Sequence, residues 1–84
     1  SGKTMEIALK FIDENFRNEI TLDTIAEACF TNKYYLSHLF TRAQGVSVGK
    51  YILDKRIKEA KRQLENKDLT QDILLDYATS QKAV

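Results

Sequence analysis

Proline and tryptophan are absent from these 84 residues, glycine occurs three times, and there is a single cysteine, Cys29. Because glycine and proline mark the turns between short strands, their scarcity favours a helical fold. One cysteine cannot form an internal disulfide framework or a cysteine-rich zinc site, which indicates a reducing, intracellular setting. No apolar run approaches the roughly 18–20 residues that cross a bilayer, and no apolar block follows a basic start. We therefore expect neither a membrane span nor a signal peptide.

Signatures of catalysis, metal binding and nucleotide binding are also lacking. His38 is the only histidine, so a pair of histidine ligands is impossible. Helical spacing places Cys29 on an apolar stripe and His38 on a polar face, which excludes a nucleophile and base pair. The opening Ser1-Gly2-Lys3-Thr4 lacks the earlier glycine and the preceding strand of a phosphate-binding loop. The sequence predicts neither an enzyme nor a cofactor.

The net charge of +1 conceals an uneven distribution of charge along the chain. Residues 1–31 carry three basic and six acidic side chains, residues 32–67 nine and three, and residues 68–84 one and three. The local balances are therefore −3, +6 and −2. A basic middle section favours a polyanionic partner. The alternative is a solvated helix face that acidic neighbours balance.

Apolar side chains recur at helical spacing in five segments. Polar capping residues precede three of these segments, namely Thr21, Asn32 and Ser47, and Gly45 stands where a helix end favours a left-handed residue. Asp68, followed by a glutamine three residues later, resembles the capping box that opens a further helix. These signals predict helices over about 4–18, 22–30, 32–44, 48–65 and from 69 onward, in one small all-α domain.

The predicted core consists of the apolar stripes of the first four helices. In chain order these inward residues are Ile7, Ala8, Phe11, Ile12 and Phe16; Leu22, Ile25, Ala26 and Cys29; Leu36, Leu39, Phe40 and Ala43; and Leu53, Ile57, Ala60 and Leu64. The fourth helix also carries a basic exterior, which consists of Lys55, Arg56, Lys58, Lys61 and Arg62.

The second and third predicted helices are short and adjacent, as in a helix-turn-helix unit, whose second helix lies in the major groove. At about 100° per residue, the polar side chains of the third helix cluster opposite its apolar stripe, and none of them is acidic. Such a face suits base edges and phosphates. The alternative is a helical protein-interaction module whose basic fourth helix binds an acidic partner. The residues predicted to bind double-stranded DNA are Lys33, Tyr34, Tyr35, Ser37, His38, Thr41 and Arg42.

Three segments in order, TLDTIAEAC, NKYYLSHLF and GVSVGKYILDKRIKEAKRQL, resemble the DNA-binding domain of AraC/XylS-type transcription regulators. The resemblance runs from about residue 5 to residue 68. It implies a helix-turn-helix bundle, in which a homeodomain-like three-helix unit is joined by a long connecting helix to a second unit. It also implies sequence-specific binding to promoter DNA, RNA polymerase as a partner of the full protein, a cytoplasmic location and no cofactor.

The resemblance also implies roles for the polar face of the third helix. Tyr34, Ser37 and His38 take the positions of base-reading residues. Lys33, Thr41 and Arg42 take neighbouring or phosphate-contacting positions.

The resemblance ends early in the second unit. Residues 68–84 are similar only to its opening helix, and Ala78 and Thr79 stand where the family has a Gly-Phe pair. We therefore expect a first subdomain with the connecting helix over residues 1–67 and an incomplete second subdomain over residues 68–84. The incomplete second unit predicts weak DNA binding, because one recognition helix makes few contacts. Its uncovered apolar stripe predicts self-association and consists of Leu69, Ile73, Leu74 and Tyr77.

Overall fold

A computed structural model of the chain describes residues 2–66. Within this range there are four helices, α1 (Gly2–Asn15), α2 (Leu22–Ala28), α3 (Lys33–Gln44) and α4 (Val48–Asn66). The described residues contain no strand, so the predicted all-α class is confirmed for them. The predicted fifth helix, with the stripe from Leu69 to Tyr77, lies outside the described residues. The division between residues 67 and 68 stays a prediction.

One face of α1 is buried along its length. The buried residues are Met5, Ala8, Ile12 and, just beyond the last turn, Phe16. Their spacing of three and four residues is that of one helix face. The predicted inward residues Ile7 and Phe11 lie half-buried at the edge of the core. The helix ends at residue 15, earlier than the predicted residue 18.

A reciprocal capping box opens α2. The Thr21 Oγ1 atom accepts a hydrogen bond from the Thr24 N–H at 3.1 Å, and the Thr24 Oγ1 atom accepts one from the Thr21 N–H at 2.8 Å. Thr21 is therefore the N-cap of α2, as the sequence predicts. Thr24 occupies the place where a capping box usually has Glu or Gln, and it satisfies the same backbone donor.

Both ends of α3 follow the predicted caps. The Asn32 Oδ1 atom accepts a hydrogen bond from the Tyr35 N–H at 2.9 Å. At the other end, Gly45 has a φ of +78°, and its N–H donates to the Thr41 carbonyl at 2.8 Å. Ser47 then caps α4, since its Oγ atom accepts the N–H three residues later at 3.2 Å. The length of α3 is thus set by its own sequence.

The turn between α2 and α3 contains the only non-glycine residue of the described range with a positive φ, Phe30 at +58°. The Phe30 N–H donates to the Glu27 carbonyl at 3.1 Å, and the Thr31 N–H donates to the Ala26 carbonyl at 3.0 Å. These two bonds form a Schellman motif, whose left-handed position is usually a glycine. Because the helical conformation is lost here, α2 ends at residue 28 and not at the predicted residue 30.

The core centres on α3. Leu36 and Phe40 are fully buried, together with Ile12 from α1 and Ile25 from α2. The ring of Phe40 meets the ring of Tyr51, on α4, edge to face, with centroids 5.3 Å apart and an interplanar angle of 77°. This arrangement is a favourable one for aromatic pairs. Three helices therefore share one core, and α4 joins it through its first turns.

The predicted inward stripe of α4 is wrong at its start. Val48 and Ile52 are the buried residues of α4, whereas Leu53 is 55% exposed and Ile57 is 43% exposed. The two remaining members of the stripe are half-buried. Only the start of α4 packs on the core formed by the other three helices. The residues that are buried there lie on a face adjacent to the predicted stripe, which was derived from the spacing of apolar residues along the whole helix. Ala43, predicted to be inward, is exposed in the last turn of α3.

The substitution Phe30→Gly is expected to raise the free energy of unfolding by about 1 kcal/mol. It removes a left-handed strain of roughly 1–2 kcal/mol, and part of this gain is lost because glycine increases the entropy of the unfolded chain. The ring is 94% exposed, so its loss removes little packing. Urea unfolding followed by circular dichroism measures the change. Phe30→Ala is the matched control, since it removes the ring and keeps the strain; equal gains from both variants would refute the explanation by strain.

Candidate nucleic-acid interface

The polar face of α3 lies on the outside of the molecule. Since Leu36 and Phe40 are fully buried, a rotation of about 100° per residue puts His38 on the opposite side of the helix. Tyr34, in the first turn, is 72% exposed. Five of the seven residues predicted to bind DNA are exposed: Tyr34, Tyr35, His38, Thr41 and Arg42.

The other two predicted residues, Lys33 and Ser37, are half-buried. The Lys33 Nζ atom lies 4.0 Å from the Asp23 Oδ2 atom of α2 and 5.5 Å from the centroid of the Tyr34 ring. Asp23 therefore brings an acid to the edge of a face that carries none in its own helix. Arg42, by contrast, has no ion-pair partner among residues 2–66. Of the two cations, Arg42 has the less compensated charge.

A shallow groove of about 270 Å³ runs along one side of α3, lined by Tyr35, His38, Leu39 and Arg42. The spacing of these residues places them in a line on one helix surface. Leu39 was expected in the core, but it is half-buried and gives the groove an apolar wall. Its place on the border between the apolar stripe and the polar face is the sequence signal for this role.

Cys29 lies in the core, away from the polar face of α3. Its Sγ atom donates to the Thr4 carbonyl at 3.7 Å, and burial raises the pKa of the thiol. Within residues 2–66, no group of three His, Cys, Asp or Glu side chains is placed to hold a metal ion. None of the described helices has the length and apolarity needed to cross a membrane.

The basic exterior of α4 is largely engaged within the molecule. The Lys55 Nζ atom lies 2.8 Å from the Asp13 Oδ1 atom of α1, and this hydrogen bond raises the pKa of Lys55. Arg56 donates from Nε to the Phe16 carbonyl at 2.8 Å and from a terminal nitrogen to the Asn18 carbonyl at 3.0 Å. Since the last carbonyls of a helix lack partners within it, Arg56 supplies donors where α1 has just ended.

Glu59 makes a second connection between α4 and the end of α1. Its Oε1 atom lies 2.6 Å from a terminal nitrogen of Arg62 and 3.1 Å from one of Arg17. The hydrogen bonds from Arg62 and then Arg17 lower the pKa of Glu59 to about 2. The guanidinium of Arg17 also lies over the Phe16 ring, 4.4 Å from its centroid.

These contacts decide how much of the basic exterior is open to a partner. Lys55, Arg56 and Arg62 each bind a group within the chain. Lys58 and Lys61 are exposed. The basic exterior thus has a structural use, which weakens the hypothesis that it binds an acidic protein.

Sequence comparison relates the chain to known transcription regulators. It is 36% identical over 78 residues to the probable transcription factor PqrA of Proteus vulgaris, covering 89% of this chain and 64% of PqrA. It is 36% identical over 70 residues to the HTH-type transcriptional activator AarP of Providencia stuartii, covering 82% of this chain and 52% of AarP. The chain is thus a homologue of AraC-family transcriptional regulators.

A third relative has two activities in its name. The bifunctional transcriptional activator/DNA repair enzyme AdaA of Bacillus subtilis (strain 168) is 28% identical over 60 residues, covering 71% of this chain and 28% of AdaA. The chain therefore spans between 28% and 64% of the length of these three relatives. No profile of a known protein family matches it. The predicted family is confirmed, and the roles of individual residues stay predictions.

Arg56→Met is expected to lower the free energy of unfolding by about 1 kcal/mol. Two charge-assisted hydrogen bonds would contribute more in a buried site, but Arg56 is exposed and water competes for the carbonyls. Urea unfolding gives the value. Lys61→Met is the matched control on the same helix, with an expected change within about 0.5 kcal/mol. Equal stabilities of the two variants would show that Arg56 does not hold α4 to α1.

Proposed function

We propose that this chain is the sequence-specific DNA-binding part of a transcription regulator and that α3 enters the major groove of double-stranded DNA. The observation that carries the proposal is the outward face of α3, which presents aromatic and hydrogen-bonding groups on a helix anchored by Leu36 and Phe40. In helix-turn-helix units the first helix crosses the DNA backbone and the second contacts base edges. The relatives named as a transcription factor and a transcriptional activator support this function.

Tyr34, Ser37 and His38 are the proposed base-reading residues. Their hydroxyl and imidazole groups are able to donate to or accept from base edges. A rise of about 1.5 Å per residue separates Tyr34 from Thr41 by about 10 Å, which is the length of about three base-pair steps. The proposed phosphate contacts and flanking contacts are Lys33, Tyr35, Thr41 and Arg42.

The proposal gives the chain no enzymatic role and requires no cofactor. The repair activity in the name of AdaA is not carried over, because this chain aligns with only 28% of that protein. We propose RNA polymerase as a partner of the full-length protein, since a transcription activator acts on the transcribing enzyme. The proposed location is the cytoplasm, where the DNA of bacteria such as those of the relatives lies.

We also propose that the chain divides into two subdomains after residue 67. We further propose that copies of the 84-residue chain associate with one another. Leu53 and Ile57, exposed on α4, are apolar residues that two copies would share. Sedimentation velocity over a hundredfold range of concentration is expected to show a concentration-dependent dimer. The double variant Leu53→Gln with Ile57→Gln should shift the chain toward the monomer. A chain that stays monomeric at every concentration would contradict the proposal.

Simultaneous substitution of Tyr34→Ala and His38→Ala is expected to weaken binding to the preferred duplex by at least tenfold. Each lost base contact costs about 1–3 kcal/mol and relaxes the preference at one position. Both residues are exposed, so folding should be unaffected. Selection from a random duplex pool and titration by fluorescence anisotropy measure the two effects. Gln44→Ala, at the far end of α3, is the matched control; an unchanged motif and affinity in the double variant would refute the assignment of the recognition helix.

Arg42→Ala is expected to weaken binding to all duplexes alike and to flatten its dependence on salt. Each neutralised phosphate contributes about 0.9 to the slope of log K against log salt concentration. Titrations at several salt concentrations measure this slope for preferred and unrelated duplexes. Lys61→Ala, on α4, should leave the slope unchanged. If Arg42→Ala leaves it unchanged as well, Arg42 makes no phosphate contact.

A further inference from the structure

Phe30 is the most exposed of the large apolar residues in the described range, and its backbone conformation is strained. Its ring is 94% exposed, and its φ is +58°. The Schellman bonds at this turn are made by backbone atoms and would form with glycine as well. Folding alone therefore favours glycine at this position. Because strained backbone at residues other than glycine concentrates at functional sites, Phe30 is a candidate for a contact outside the chain.

Phe30 stands at the entrance to α3, two residues before the N-cap Asn32 and four before Tyr34. Tyr34 and Tyr35 are exposed as well, so three exposed aromatic residues fall within six positions. The Nζ atom of Lys33 lies 5.5 Å from the centroid of the Tyr34 ring, which adds a cation to this aromatic group. The start of a recognition helix approaches the bases, and Phe30 precedes the first residue of α3 by three positions.

We propose that Phe30 is a specificity-determining residue that contacts the methyl group of a thymine at the edge of the site read by α3. This inference rests on the function proposed above. A phenyl ring has no hydrogen-bonding group, and the C5 methyl group of thymine is the apolar feature that bases present in the major groove. Phe30 stands two residues before the N-cap of the helix that we propose to read DNA, so DNA is favoured over a protein as the occupant.

Replacement of thymine by deoxyuridine tests this contact, because it removes the methyl group and keeps the hydrogen-bonding pattern. The preferred duplex of the 84-residue chain is first selected from a random pool, and each thymine is then replaced in turn. We expect the unmodified chain to lose about fourfold in affinity at one thymine at the edge of the site. Phe30→Gly should bind the thymine and uracil duplexes equally. It should also keep the preferences at positions that depend on Tyr34 and His38.

Phe30→Leu is the matched variant, since it keeps an apolar side chain in the same turn and should retain part of the thymine preference. Phe30→Gly is expected to be at least as stable as the original chain, so unfolding does not explain a lost preference. If the original chain binds a defined motif and Phe30→Gly has the same response to uracil, the inference about Phe30 is overturned and the proposed function stands. If the original chain selects no motif at all, the proposed function fails and the inference fails with it.

Discussion

The burial of Leu36 and Phe40 against α1 and α2 is the constraint on which the remaining structure depends. These two residues anchor α3 on one side, in contact with a core that includes Ile12 and Ile25. Since a helix rotates about 100° per residue, anchoring one side forces the intervening residues outward. The outward position of Tyr34 and His38 is therefore a consequence of core packing. In a domain this small, one well-packed core supports both the fold and the proposed DNA contacts.

The positive charge of the chain serves two different purposes. On α4, Arg56 binds the carbonyls of Phe16 and Asn18. Lys55 pairs with a carboxylate of α1, so these two cations hold α4 to the end of α1. On α3, Arg42 is exposed and without an ion-pair partner among the described residues. A cation that already pairs within the chain must lose that partner to neutralise a phosphate, whereas an unpaired cation is available for it. The cations of α3 are therefore more important for the proposed function than those of α4, although they are fewer.

The turn before α3 combines a regular backbone with an unusual residue. Its two hydrogen bonds close α2 in the ordinary way, and Asn32 opens α3 immediately afterwards. Phe30 nevertheless occupies the left-handed position with an exposed ring. Most features of the domain increase stability and position α3 at the same time. At Phe30 the two requirements separate, and stability is reduced for a side chain that the core does not use.

The helical class, the helix caps at Thr21, Asn32 and Gly45, and the polar face of α3 follow from the amino-acid sequence alone. These features depend on residues three or four positions apart, so they are present in the local sequence. The buried face of α4 and the contacts of its cations with the end of α1 depend on packing between helices. The bond from Arg56 to Phe16 joins residues 40 positions apart, and the ion pair between Lys33 and Asp23 joins two helices. Periodicity describes one helix at a time, and therefore it cannot specify which turns of α4 meet the core or which charge lies opposite another.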